Sequence, residues 1–404
     1  MNKRKIFNDP VYGFISIPYD IVFDVIEHPY FQRLRRIQQL GLSSLVYPGA
    51  THSRFHHSLG AMHLMYKSLE VLKSKGQNIS KLESKAAVLA ILMHDLGHGP
   101  FSHALEGLIV KGIHHEHISM LLMQFLKNEF TTTNAEYADI IDVSIQIFTN
   151  QHPKKFLYQL VSGQLDMDRM DYLNRDSFYT GVSEGVIGYD RIINMLDVHD
   201  GNIVVEEKGI YSIEKFLVAR RLMYWQVYLH KTSLVADLML KNAVSRARKI
   251  DYLNQYISTN LSFFLNNEIK QNDFNQHLEK FISLDDTDIL QALKSWMNGS
   301  DDILQTLATS IINRKLFKIE FLNEAQVNEK YEILKQQYTT EEMQYLVHKG
   351  TVENNAYNPS KDNIYIKFKD GSIKEITDIT EQWNIRSLSN SVIKHYIAYP
   401  KNKF

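Results

Sequence analysis

Hydrophobic positions recur with helical spacing over most of this chain, and the breaks in that spacing fall at glycine or at polar clusters. The period predicts a helix over 24–40 ended by Gly41, and another over 55–75 ended by Gly76. Residues 80–95 are apolar on almost every side, the pattern of a buried central helix. Helices are expected over 115–127, 135–148, 157–176 and a long 213–249, with further amphipathic helices within 260–309. The pattern changes near Arg314. Residues 315–321, 364–368 and 372–379 read as strands, the last two joined by the hairpin signal Lys369-Asp370-Gly371. Residues 395–399 read as a final strand, and 328–337 as a helix packed on this group. The expected fold class is mainly α: a helical core over 1–250, a helical extension over 251–313, and a small α+β C-terminal lobe over 314–404.

Composition narrows the function classes. Charge is balanced, with 45 basic and 46 acidic residues among 404, so nothing global argues for a nucleic-acid coat or a membrane surface. An anionic ligand must therefore meet a local basic cluster. The chain has no cysteine, which excludes disulfides and thiolate metal sites and fits a reducing cytoplasm. The opening MNKRKIFNDP lacks an apolar signal region, and no window reaches the roughly 18 apolar residues of a membrane helix. The expectation is a soluble cytoplasmic protein. Histidine is the anomaly: many of the 17 lie between His52 and His117.

The apolar run over 80–95 ends in His94-Asp95, and an imidazole beside a carboxylate at the end of a core helix is costly unless something pairs with both. His57 and Asp168 complete a candidate set of two imidazoles and two carboxylates. Those donors suit one six-coordinate divalent ion, Mn, Fe, Ni, Co or Mg. Zinc fits them too, although a structural zinc site would more often use the absent cysteine. On spacing alone, the metal reading stands level with one in which these are satisfied core polar residues. Asp168, Tyr172 and Asp176 are four apart and share a helix face, as do Arg220, Tyr224 and Tyr228. The first series is either a ligand-binding face or an exposed face with an acid at each end. The second is either a phosphate and sugar contact or an aromatic core stripe capped by an arginine.

The ordered set His57, His94-Asp95, Asp168 resembles the HD-domain phosphohydrolase superfamily. Further matches place the resemblance in its dNTP triphosphohydrolase branch: Phe7-Asn8-Asp9-Pro10, FQRLRRIQQLG over 31–41, YPGATHSRFHHSL over 47–59, HDLGHGPFSH over 94–103, His115-Glu116, and DMDRMDYLNRD over 166–176. They are dense over residues 6–250 and thin afterwards. The resemblance implies an HD-domain helical core with one divalent metal on His57, His94, Asp95 and Asp168. It also implies hydrolysis of a dNTP to deoxynucleoside and inorganic triphosphate by water attack at the α-phosphorus.

By the same resemblance His98, His103 and His115 line the α-phosphate with Asp95, and His103 donates a proton to the leaving 5′-oxygen. Gly97, Gly99 and Pro100 make tight turns that hold this loop near the metal. Gln39 and Leu40 correspond to groups at the 3′-hydroxyl and the 2′ position, and Tyr172 and Asp176 to sugar contacts. Arg220 and Tyr228 move to the substrate side, while Tyr224 stays ambiguous. Arg54 and Arg169 are candidates for the triphosphate, or else structural salt-bridge partners. For His98, His103 and His115 the alternative is hydrogen bonding within a polar core. His52, His56, His63, His114 and His117 receive no role.

A regulatory site is implied more weakly. Glu27, Gln32 and Arg35 match positions that read the guanine of an activating GTP or dGTP, and Lys208, His230 and Lys231 fall near its phosphates. Glu206 stands where an arginine is expected, so allosteric control is as open as its absence; if present it implies a homo-oligomer, dimer or tetramer. Two other functions stay open: an HD phosphohydrolase of a nucleoside monophosphate, ppGpp or a cyclic dinucleotide, and a non-catalytic nucleotide-sensing scaffold. Against the scaffold, no metal ligand is missing. Balanced charge disfavours a dedicated nucleic-acid binder, with a local basic groove left open.

Overall fold

The computed structural model describes residues 5–250, 257–354, 357, 363–379 and 391–401. At its centre is helix Lys81–Met93, opened by a reciprocal cap: Ser80 Oγ accepts from the Glu83 amide at 3.1 Å, and the Glu83 carboxylate accepts from the Ser80 amide at 2.8 Å. Every residue from Ala86 to Met93 is buried, so the helix has no solvent face beyond its first turn. Helices Arg54–Ser74 and Ala135–Phe148 pack on it, and Met167–Thr180 packs on Arg54–Ser74. The mainly α class expected from periodicity is the class observed.

Three predicted helices are broken, each for a local reason. Residues 24–40 do not form one helix. Asp20–Glu27 stops at His28, which Pro29 holds in an extended conformation, and Pro29–Gln32 and a 3₁₀ turn over Arg33–Arg36 follow. Beyond that turn Gln38 bridges Ser53, and the Gln39 amide donates to the His52 carbonyl at 2.9 Å. Residues 157–176 split into Lys155–Val161 and Met167–Thr180, the second restarted by Asp166, whose carboxylate accepts from the Arg169 amide at 2.7 Å. Residues 213–249 split into Ile210–Met223, a π-helical turn Tyr224–Tyr228, and Lys231–Ala247. The last begins where His230 Nδ1 accepts from the Thr232 amide at 3.2 Å.

The predicted strands form, but two of them join an unexpected sheet. Val392–Tyr399 is central between Lys318–Leu322 and His348–Asn354, all antiparallel, with helix Glu324–Lys335 against it. The hairpin Tyr365–Lys367/Ile373–Glu375 turns at Gly371, whose φ of 87° favours glycine. It does not join this sheet. It extends the pair Leu196–His199/Asn202–Glu206, with Val205 facing Ile366 in parallel register. The segment expected in a C-terminal lobe thus returns to the helical body. The predicted boundary at 250/251 adjoins 251–256, which lie outside the described residues.

Candidate active site

Four side chains converge where Arg54–Ser74, the end of Lys81–Met93 and the start of Met167–Thr180 meet. His57 Nε2 lies 3.1 Å from Asp168 Oδ1 and 3.8 Å from Asp95 Oδ2. His94 Nε2 lies 3.1 Å from Asp95 Oδ1 and 3.6 Å from Asp168 Oδ1. The far nitrogens are committed elsewhere. His57 Nδ1–H donates to Asp171 Oδ2 at 2.7 Å, and His94 Nδ1–H donates to the Ile91 carbonyl at 2.6 Å. A carbonyl can only accept, so the neutral His94 ring carries its lone pair on Nε2, facing the carboxylates.

Those two Nε2 atoms provide the test of fit for a metal. Both are buried and neither has a well-directed hydrogen bond, an expensive arrangement that a cation among the four side chains would resolve. His57, His94 and Asp168 place one ligand atom each within 4.8 Å of one another. The electrostatics agree. Burial alone would lower the pKa of His57, but the Asp168 and Asp171 carboxylates carry it up to about 10. Burial works against ionisation of Asp95, yet His94, Arg54 and His98 hold it well below the usual carboxylate range. Asp168 is likewise depressed against its burial by His57 and His94. The donors fit a divalent ion.

Outer contacts hold these four side chains in place, and most of them have no signal in the sequence. Arg175 is fully buried and grips Asp171 through Nε and Nη2, both at 2.9 Å, and Asp9 through Nη1 at 2.8 Å. Gly60 leaves room for this cluster, because a Cβ there would sit 1.9 Å from Asp171 Oδ1. Asp286 accepts from the amides of Gln38 and Phe101, both at 2.8 Å, tying together the segments that carry Gln39 and His103. Asp171 and Arg175 lie within the 166–176 motif at one-turn spacing, so their signal was present. Asp286 had none.

The histidine-rich loop follows directly. His98 Nε2 lies 3.1 Å from Asp95 Oδ1, and its ring stacks on His115 at 3.8 Å between centroids. His115 Nδ1–H donates to Glu106 at 2.7 Å, a partner not anticipated. Gly97 permits the close approach, since a Cβ would meet the His115 carbonyl at 2.1 Å. Burial and the nearby Arg54 charge push His98 well below its ordinary pKa and His103 down to about 4. Both rings are neutral near pH 7.

Beyond the loop lies a cavity of about 480 Å³ lined by Gln39, Leu40, His103, Tyr172, Asp176, Tyr224 and Tyr228 among others. Asp176 accepts from Tyr228 Oη at 2.8 Å and from His52 Nε2 at 2.7 Å, which gives His52 a positioning part that its sequence context did not reveal. The Tyr172 and Tyr228 rings meet edge to face at 5.9 Å. Gln39 Oε1 is buried without a partner. Both arginines offered for triphosphate contacts are engaged as salt bridges: Arg54 with Asp95 at 2.7 Å, and Arg169 with Asp166. Each keeps an unpartnered Nε, as does Arg220, whose Nη1 donates to Gln164 at 2.9 Å.

The regulatory candidates fall into two groups. Gln32 Nε2 donates to the Ile26 carbonyl at 2.7 Å, its oxygen accepts from Arg35 Nε at 2.8 Å, and Glu27 is exposed at the end of the preceding helix. Lys208 and Lys231 are exposed, His230 caps its helix, and Glu206 pairs with Lys75 at 2.6 Å. No hydrogen bond or ion pair among the described residues joins the two groups.

Comparison with known proteins agrees with this geometry. A family profile described as "HD domain" matches residues 54–176, and one described as "HD associated region" matches 187–257. A solved structure of a phosphohydrolase from Bacteroides thetaiotaomicron is 50% identical with a TM-score of 0.90, covering 99% of this chain and 100% of that one. The uncharacterized protein YwfO of Bacillus subtilis is 31% identical over 100% of this chain and 93% of its own length. A deoxynucleoside triphosphate triphosphohydrolase SAMHD1 homolog of Dictyostelium discoideum is 31% identical over 78% of this chain and 60% of its own. No helix among the described residues is long and apolar enough to cross a membrane.

Proposed function

This chain belongs to the HD-domain phosphohydrolase superfamily, and from that premise we propose that it hydrolyses deoxynucleoside triphosphates to deoxynucleoside and inorganic triphosphate by water attack at the α-phosphorus. One observation carries the reading. Helix Met167–Thr180 contributes Asp168 to the His57–His94–Asp95 cluster and, one and two turns later, Tyr172 and Asp176 to the cavity. A nucleotide with its phosphates at the cluster and its sugar in the cavity is read along a single helix face. The activity that names the Dictyostelium relative supports the same reading.

A divalent ion held by His57, His94, Asp95 and Asp168 would polarise the phosphoryl group and lower the pKa of the attacking water. The remaining steps belong to side chains of this chain. Arg54, beside Asp95, offsets the negative charge of the phosphates, and the neutral His98 ring steadies Asp95 through Nε2. His103 is neutral in the free protein because burial and Arg54 disfavour its charged form. The substrate's phosphates counter that Arg54 field, so proton uptake by His103 accompanies binding, and the proton then passes to the leaving 5′-oxygen. Asp176, which Tyr228 and His52 hold in position, accepts from the 3′-hydroxyl, and the Gln39 side-chain amide donates to the same oxygen. Leu40 and Tyr228 crowd the 2′ position and disfavour ribose.

A panel of dNTPs and NTPs with manganese or magnesium, with and without GTP, tests the reading. The expected result is triphosphate and deoxynucleoside from dNTPs, turnover of NTPs lower by about 100-fold, and loss of activity on chelation. Release of pyrophosphate or orthophosphate, or inertness toward every nucleotide, would overturn it. A rise in rate with GTP, with a change in oligomeric state, is what activation through Glu27, Gln32, Arg35, Lys208, His230 and Lys231 requires.

A further inference from the structure

Two charged side chains of the cavity, Asp237 and Lys241, have no part in the proposed reaction. Asp237 lines the wall formed by helix Lys231–Ala247, with Leu234, Leu238 and Lys241. These positions are spaced three and four apart and share one helix face. Asp237 forms no hydrogen bond or ion pair among the described residues, and burial raises its pKa to about 7. A carboxylate sunk in such a wall is costly unless a ligand brings donors to it.

The location limits what that ligand group can be. Gln39, Leu40, Tyr172, Asp176 and Tyr228 are the sugar contacts, and the phosphates lie toward the metal cluster. The helix face carrying Asp237 is the charged part of the wall that these contacts leave for the base. We propose that Asp237, with Lys241 one turn further on, reads the base of the bound nucleotide and selects guanine; this rests on the nucleotide reading of the same cavity.

The chemistry of the base edges decides among the four. Guanine alone has two adjacent donors, N1–H and the N2 amino group, which match the two oxygens of a carboxylate. Its O6 acceptor is next in line, where the Lys241 ammonium can reach it. Adenine and cytosine set one amino donor beside a ring-nitrogen lone pair, and thymine has a single N3–H between two carbonyls. Each of these turns a lone pair toward a carboxylate oxygen, which is repulsive. Because the Asp237 wall is only half-buried, the expected discrimination is about 10-fold rather than the larger factors of sealed sites.

Binding of deoxynucleosides to the metal-loaded full-length chain, measured by calorimetry, tests this without any phosphate to hydrolyse. The wild type is expected to bind deoxyguanosine about 10-fold more tightly than deoxyinosine, which lacks only the N2 amino group. In Asp237→Leu that ratio should collapse to about 2-fold or less. Asp237→Asn, whose amide offers one donor and one acceptor, should shift selection toward deoxyadenosine and deoxycytidine, a gain that a misfolded variant would not produce. Equal binding of deoxyguanosine and deoxyinosine by the wild type, or a ratio that survives in Asp237→Leu, overturns the inference. Triphosphate release from every dNTP with equal kcat/KM would also sink base selection while leaving the reaction intact. Selective binding without triphosphate release would instead sink the reaction and leave the base reading.

Discussion

Replacing Asp168 with alanine is expected to lower triphosphate release by at least about 10⁴-fold and to abolish the rise in melting temperature that a divalent metal gives the native chain. The rate figure corresponds to about 5–6 kcal/mol of transition-state stabilisation, the scale of a Lewis acid and its oriented surroundings. The fold should tolerate the change. Asp168 is about one-third exposed, with 30% of its side chain accessible, and it sits among other carboxylates, Asp95 and Asp166 included. Removing it gives up its attraction to His57 and His94 as well as its repulsion of Asp166, so melting in chelator should fall only slightly. A variant that melts much lower in chelator would show Asp168 to be structural, whereas one that keeps its metal-dependent shift would show that it is not a ligand.

The second large effect is on stability. Arg175→Leu leaves Asp171 and Asp9 buried without their shared cation, since Arg175 supplies three hydrogen bonds to them and is itself fully buried. Removing one partner of such a network costs about 3–5 kcal/mol, because the remaining charges have no solvent to turn to. The cost reaches the site as well, because Asp171 fixes the His57 tautomer that leaves Nε2 facing the cluster. Metal affinity should therefore fall about 10–100-fold alongside the urea midpoint. Stability within about 1 kcal/mol of the native chain would contradict the account of a buried charge network that depends on Arg175.

How far the site was legible followed from what kind of pattern carried each part. His57, His94, Asp95 and Asp168 could be grouped because an apolar helix ending in two polar residues is costly and because the ordered motif resembles a known superfamily. Tyr172 and Asp176 followed from helical spacing, and the structure puts both on the cavity wall. Asp286 and Glu106 were invisible because their partners are backbone amides and a histidine set by tertiary packing, which no local pattern announces.

The fold shows the same division. Helix 135–148 was bounded as observed, capped by Asn134 at its start. The apolar period over 24–40 runs past Pro29, and the ring decides against it, ending the first helix at Glu27. The hairpin at Gly371 was legible in its turn, but its pairing with Asn202–Glu206 was not. Parallel pairing across that much chain leaves no trace in local spacing.

The central claim is that water attacks the α-phosphorus beside the His57–His94–Asp95–Asp168 cluster. Hydrolysis of dGTP by the metal-loaded chain in ¹⁸O-labelled water tests it most directly, with both products examined by mass spectrometry. The predicted result is one labelled oxygen in inorganic triphosphate and none in deoxyguanosine, because the new bond forms at phosphorus and the 5′-oxygen leaves with the nucleoside. Label in the deoxyguanosine, or a first product pair of nucleoside monophosphate and pyrophosphate, would contradict it.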